Sequence, residues 1–237
     1  MYLSIIIPTL EEEKYLPLLL QSIKEQKFSG KYEIVIADAG SQDKTVEIAT
    51  NYGCKIIKGG LPAKGRNEGA KIAKGELILF VDADVVLPKD SLDGFILEFE
   101  RRNLDTAGFL LQPCGNDKWF RLLYNVFYNL PVVLLERILP HSVGTMLVKK
   151  DFFQKIGGFD EKIILAEDHI YCRKASRYGK FGIIKSYKIY HSQRRLERDG
   201  IIKTYLKYLL GEAHLIFEGP IRSDIFQYDL QSRRFKD

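Results

Sequence analysis

The sequence predicts an α/β fold, a mostly parallel central sheet flanked by helices, with a less regular second half. Three observations predict it. Short apolar, β-rich runs alternate with helical patterns through the first half, as in repeated strand–helix–strand units. Two of those runs end on carboxylates, at Asp38 and at Asp82 and Asp84. The chain has 237 residues, 46% of them hydrophobic, enough for a sizeable core.

Leu3–Ile7 is an apolar run closed by Pro8, and it reads as the first strand. Glu11–Gln26 follows with Leu16, Leu19, Leu20 and Ile23 on one helical face. Gly30 punctuates, and Glu33–Ala37 is a second strand running into Asp38. The turn Ala39–Asp43 can cap a helix over Lys44–Tyr52. Cys54–Ile57 is a short third strand, and Gly59–Pro62 opens a loop into a helix over Ala63–Ala73. Leu77–Val81 is five apolar residues in a row and reads as a buried strand. A helix from about Lys89 to Arg101 and a strand near Ala107–Leu111 complete this half.

The second half is read more coarsely. Trp119–Leu139 is a strongly apolar helical segment in which Arg121, Glu136 and Arg137 carry charge. Ser142–Val148 reads as a strand, Lys150–Ile156 as a short helix stopped by Gly157-Gly158, and Glu167–Tyr178 as a helix ended by Gly179. Phe181–Tyr190 alternates loosely as a strand, and Ile201–Phe217 is an apolar-faced helix.

Charge is uneven along the chain. Residues 173–207 carry 11 basic and two acidic side chains, an excess larger than the whole-chain net charge of +5. One end therefore presents a positive field suited to phosphates or an anionic membrane surface, although a solvated basic face would look the same. Cys54, Cys114 and Cys172 show no metal-type spacing and predict no disulfide framework, which fits a reducing compartment. The apolar amino end lacks a basic leader region, and no apolar run reaches the roughly 20 residues that span a bilayer. The expected location is cytoplasmic, with a peripheral position on the inner face of the membrane left open.

Several constellations could carry chemistry. In open α/β sheets, ligands sit at the carboxyl ends of the strands. Asp82 and Asp84 at such an end offer hard oxygens to a divalent cation, and that cation suits a phosphate-bearing ligand. Asp38 could accept a hydrogen bond from a base edge or ribose, or simply start a turn. Gly59–Asn67 feeds a helix amino end and carries Lys64 and Arg66, but it matches neither the Walker nor the GxGxxG spacing. Among Asp160, Glu167 and Asp168, one carboxylate facing the cleft could act as a general base. His191 could ligate a Mn-type cation, and Arg194 and Arg195 suit phosphate oxygens.

Taken in order, these segments resemble the family 2 glycosyltransferases of the GT-A fold. The matching pieces are Ile5–Glu11, Asp38–Thr45, Gly65–Ala70, Phe80–Asp84, Gly144-Thr145 ahead of Phe152, Ile156–Glu161 and Glu167-Asp168-His169. They cover about residues 1–195. The resemblance implies one domain over 1–237. A nucleotide-sugar-binding half would span 1–115, and an acceptor-side half 116–237 would carry the apolar segment 119–139 and the helix 201–217. It implies that Pro8, Thr9, Glu11, Asp38, Arg66 and Asp82 line the site of a UDP- or GDP-linked sugar. Asp82 and Asp84, joined by His191, would hold Mn²⁺ or Mg²⁺. Asp168 would be the catalytic base of an inverting displacement. Gly144, Glu167, Arg194 and Arg195 would face the diphosphate or the acceptor. The family's usual second carboxylate after Asp38 is Ala39 here, and a Gln ligand of the dolichol-phosphate-mannose-synthase-like members is Val86.

Two rivals fit less of the chain. Asp82–Val86 matches the DxDx[TV] pattern of haloacid-dehalogenase-like phosphatases, with Asp82 as nucleophile, yet nearly two strand–helix units precede it where such enzymes open with the motif. A non-catalytic nucleotide-binding protein would keep the donor site without turnover. The apolar segment 119–139 is either a core helix or a surface lying on a membrane near a lipid-linked acceptor. No nucleic-acid partner is expected, and the sequence leaves the oligomeric state open.

Overall fold

The computed structural model of the protein describes residues 2–115 and 118–222. Eight strands form one sheet: β1 (Tyr2–Thr9), β2 (Lys31–Asp38), β3 (Lys55–Lys58), β4 (Leu77–Phe80), β5 (Val85–Val86), β6 (Thr106–Pro113), β7 (Met146–Lys149) and β8 (Phe181–His191). Their order across the sheet is β3-β2-β1-β4-β7-β6-β8-β5. The pairs among β1, β2, β3 and β4 are parallel, as is β6 with β8. β7 runs antiparallel to both its neighbours, and β5 is antiparallel to β8, so the sheet is mixed beyond β4.

The helices are α1 (Leu16–Lys24), α2 (Thr45–Asn51), α3 (Pro62–Ile72), α4 (Leu92–Arg101), α5 (Lys118–Tyr124), α6 (Leu130–Leu134), α7 (Lys150–Lys155), α8 (Glu167–Tyr178), α9 (Arg194–Asp199) and α10 (Ile201–Phe217). They cover both faces of the sheet, which is why its central strands are apolar throughout instead of alternating. Ile5, Ile7, Leu77 and Leu79 pack on one face with Leu16, Leu20 and Phe95. Ile6, Ile78 and Phe80 pack on the other with Ala63, Ala70, Phe153 and Tyr171. Each of the Leu, Ile and Phe side chains among them, fully buried, contributes about 1.5–3 kcal/mol. α3 lies tight on β1 because Gly69 faces Ile6: a Cβ there would sit 2.4 Å from Ile6 Cγ2.

Three elements differ from expectation in their bounds, and two more were not expected. α1 starts at Leu16, not Glu11. The residues before it are tied to the turn after β2: the Glu11 N–H donates to Ser41 Oγ (2.9 Å), Glu12 N–H to Thr45 Oγ1 (2.8 Å) and Glu13 N–H to Asp43 Oδ2 (3.0 Å). Segment 119–139 is not one helix. α5 passes into a π-helical turn at Asn125–Asn129 and then α6. Pro131 lacks an N–H, and its ring would press on the carbonyl four residues earlier, which the wider turn relieves. The Asn129 amide pins the segment to β6, bonding both Leu111 N and Leu111 O at 2.8 Å. The strand expected over Ser142–Val148 is confined to Met146–Lys149, because Gly144 has φ +66°. β5 and α9 were not anticipated. No described helix is long and apolar enough to cross a membrane.

Candidate active site

The carboxyl ends of β1, β2 and β4 converge because these strands are parallel and in neighbouring positions. Thr9 and Asp38 are register partners. Asp38 is buried and accepts four hydrogen bonds: from Thr9 Oγ1 (3.0 Å) and Ser41 Oγ (2.6 Å) at Oδ1, and from Gly40 N–H (2.8 Å) and Ser41 N–H (2.9 Å) at Oδ2. Its carboxylate thus organises the turn that follows it. Glu11, at φ +55°, lies across this turn and accepts from Gln42 N–H (2.8 Å). Pro8 is half-buried at the end of β1, against the Gly65 face of α3.

Asp82 follows β4 with its side chain 32% exposed. Arg66, carried in by α3, is 1% exposed and spans two acids: Nη2 donates to Asp82 Oδ1 (2.7 Å) and Nη1 to Glu167 Oε1. Its guanidinium also stands over the Phe159 ring, 5.5 Å from the centroid. Burial opposes the charge on Arg66, but Asp82, Glu167 and Asp168 more than offset it and hold the group protonated above its usual range. Burial, with the charge of Asp168, pushes the Glu167 carboxyl up against the pull of Arg66.

Asp168 is 8% exposed in the first turn of α8. Oδ2 accepts the Gly144 N–H (2.9 Å) and Oδ1 its neighbour His169 N–H (2.9 Å). Gly144 is wedged between the two acids, since a Cβ there would lie 2.1 Å from Asp82 Oδ2. Asp82, Arg66, Gly144, Glu167 and Asp168 therefore form one connected network at the rim of β4.

Asp84, two residues on, is buried and belongs to a second set. Its Oδ2 pairs with Arg194 Nη2 (2.9 Å), while Arg194 also grips Glu12 through both carboxylate oxygens (2.7 and 2.9 Å). The guanidinium lies 4.7 Å from the Tyr15 ring centroid. His191 reaches the same rim through backbone pairing with Val85, but its Nδ1 lies 3.3 Å from the Tyr124 hydroxyl. The Arg195 side chain lies outside the described residues. Among the described residues no three His, Cys, Asp or Glu side chains gather as a ready-made metal cluster. Asp82, Asp84 and His191, expected as ligands, thus share a rim and not a cage. The carboxylate oxygens of Asp82 and Asp84 still suit a hard cation, which would share them with or take them from the guanidinium each now faces. Acid pairs of this kind often take up a cation together with substrate phosphates.

Sequence reasoning missed four participants. Glu12 is a buried acid that ties Arg194 to the site, and its signal was the Glu11-Glu12-Glu13 run broken out of the helix. Glu212 bonds His169 Nδ1 (3.0 Å) from α10, and its signal was an acid within an apolar helix. His169 and His141 face each other with ring centroids 5.0 Å apart. No spacing in the chain pointed to that pair. The loop Gly59–Asn67, noted in the sequence for its glycines and its Lys64 and Arg66, delivers Arg66 inward to carboxylates.

The model of the glycosyl transferase family 2 matches residues 4–157. Poly(ribitol-phosphate) β-N-acetylglucosaminyltransferase TarS of Staphylococcus aureus (strain Mu50) is 38% identical over 220 residues, covering 87% of this chain and 38% of that protein. The chain thus spans 38% of the length of the curated TarS relatives it matches. The crystal structure of S. aureus TarS 1–349 in complex with UDP-GlcNAc superposes with a TM-score of 0.69 at 22% identity, over 98% of this chain and 76% of that one. The mannosyltransferase PcManGT from Pyrobaculum calidifontis, in complex with GDP-Man and Mn²⁺, gives 0.65 at 21% identity, over 77% and 54%. The fold is GT-A, as the ordered motifs implied, and the phosphatase and purely binding alternatives gain no support. On the extent of the family match, with the acidic rim standing inside and just beyond it, this chain belongs to glycosyl transferase family 2.

Proposed function

We propose that the protein moves a sugar from a UDP- or GDP-linked donor to a hydroxyl or lipid-phosphate acceptor, with inversion and with Asp168 as general base. One observation carries the reading: at the carboxyl edge of the sheet Arg66 bonds Asp82 and Glu167, the Gly144 N–H bonds Asp168, and Gly144 packs against Asp82, so that three acids share one rim. We infer further that both halves act as one domain, since the one sheet draws strands from each.

The donor's base and ribose would lie against Pro8, Thr9, Glu11 and Asp38, where Asp38 keeps the turn in shape. Asp82 and Asp84 would hold Mn²⁺ or Mg²⁺, with His191 as a further ligand from the facing strand. When bound, such a cation offsets charge building on the departing diphosphate. Arg194 would exchange its carboxylate partners for phosphate oxygens, to which its fork is equally suited. Gly144 N–H and the α8 backbone orient the Asp168 carboxylate. Asp168 then takes the acceptor's proton while the acceptor oxygen attacks the anomeric carbon. Arg66 keeps Glu167 and Asp82 neutralised beside it.

A lipid-linked acceptor is supported by the outer face of the 118–139 segment. Trp119 is 75% and Ile138 80% exposed, and Leu122, Phe127, Leu130 and Leu134 are also open to solvent. Lys118 and Arg137 stand exposed among them, a mixture that suits an anionic interface. Co-sedimentation with anionic liposomes at low salt tests this, and a protein left wholly in the supernatant would remove the lipid part of the reading.

The donor reading is tested by melting curves with UDP-, GDP- and dTDP-sugars, with and without Mn²⁺. A donor at about 100 times its Kd adds ~2.7 kcal/mol to the folded state, several degrees in Tm. One nucleotide class should raise Tm, and more so with Mn²⁺. No shift with any of them would overturn the proposal.

A further inference from the structure

We propose that His169 and Glu212 form a positioning pair for Asp168, so that α10 holds the reaction's base from outside the donor cleft. The inference rests on Asp168 being that base.

The geometry is specific. The two hydrogen bonds that hold the Asp168 carboxylate both come from backbone N–H groups, one on Gly144 and one on His169. The His169 side chain then turns so that Nε2 lies 3.9 Å from Asp168 Oδ1 and Nδ1 lies 3.0 Å from Glu212 Oε2. Each ring nitrogen thus faces an acid, Nδ1 within hydrogen-bond reach of Glu212 and Nε2 at ion-pair distance from Asp168, and the doubly protonated ring carries the charge that suits both. Arg173 bonds the other Glu212 oxygen and leaves Glu212 little freedom to turn away. His141 lies against the imidazole at 5.0 Å between centroids, with the Tyr128 ring 6.0 Å beyond it.

The charged and titratable groups facing His169 are therefore Asp168 and Arg173 on α8, Glu212 on α10 and His141 from the loop before β7. Burial works against a charge on His169, but Asp168 and the bond and charge of Glu212 outweigh it and raise its pKa, with Arg173 opposing. Burial and the neighbouring His169 lower the pKa of His141. Arg66 directs its two hydrogen bonds to Asp82 and Glu167. Among the described residues His169 is the titratable cation whose ring nitrogen stands within 4 Å of the Asp168 carboxylate. An imidazolium there sets a positive charge beside Asp168 Oδ1 and favours one orientation of the carboxylate.

The sign of the pH effect follows. A pKa raised above the ordinary value of about 6.5 means that the charge is fully present below that pH. It is lost as pH rises through the higher folded value, so activity should decline along an alkaline limb.

The test uses the donor that raises Tm most, with water as acceptor and nucleoside diphosphate release as the readout. Glu212→Gln should lower kcat about tenfold or more, leave the donor KM alone and move the alkaline limb to lower pH. Glu212→Asp should restore part of the loss. In His169→Gln the limb should disappear. An NMR titration of the His169 imidazole, assigned by its loss in His169→Gln, should have its midpoint above about 6.5 and fall in both Glu212→Gln and Asp168→Asn. If Glu212→Gln loosens α10, His169→Gln still tests the pair, because the Arg173–Glu212 contact remains. Unchanged kcat and pH profile in the two variants would overturn the inference, as would an imidazole midpoint indifferent to Asp168→Asn. Asp168→Asn serves as the discriminator. If it is inactive while the His169 and Glu212 variants are normal, the positioning pair alone fails. If it is fully active, the base assignment fails.

Discussion

The donor-side and acceptor-side parts of the molecule are held together by different means. Around β1, β2 and β4, strands buried on both faces fix the backbone, and the carboxylates at their ends are placed by that burial. Past β6, polar contacts do the placing: Asn129 on Leu111, Gly144 on Asp168, Arg194 on Glu12 and Asp84, Glu212 on His169. The difference teaches where substitutions should register. Changes around α3 and the parallel strands should appear in stability. Changes in the acceptor-side contacts should appear in turnover.

The largest expected effect lies where the two parts meet. Arg66→Met removes the cation from a buried acid cluster, and leaving such charges unpaired costs about 3–5 kcal/mol. A urea titration should show it as a lowered midpoint, and an unchanged midpoint would mean that the network does not join the halves. Gly144→Ala comes next. It forces a side chain onto φ +66° and against Asp82. Turnover should fall about 100-fold from displaced catalytic groups, with only about 1–3 kcal/mol lost in stability. Gly69→Ala is the donor-side counterpart. Its methyl would overlap Ile6 and cost about 1–3 kcal/mol, with residual activity per folded molecule preserved. The smallest effect belongs to Trp119→Ser, which should change stability by less than about 0.5 kcal/mol while weakening liposome binding. A large drop in Tm would instead mean that Trp119 supports the core.

The same contrast explains what could be read from the sequence. Leu3–Ile7, Glu33–Asp38 and Leu77–Val81 announce themselves because short, mostly apolar β-rich runs have few other uses, and the ends of the last two mark Asp38, Asp82 and Asp84. The α8 helix is equally plain, from Glu167 to Gly179. Periodicity says nothing about side chains that cross between elements. Glu12 looked helical until the turn at 41–45 drew it out. Segment 119–139 looked like one helix because apolar content does not reveal where Pro131 forces a π turn. The reversed β7 was hidden as well, since three apolar residues and a lysine carry no direction. His169 and Glu212 lie 43 residues apart, and only the packing of α10 on α8 brings them together.

The central claim is that the acidic rim holds the donor while Asp168 activates the acceptor. The most direct measurement is donor binding and nucleoside diphosphate release by Asp168→Asn, side by side with the unaltered protein. The account predicts donor affinity within about twofold and release slowed about 100-fold or more. Unimpaired release at equal donor affinity would contradict it.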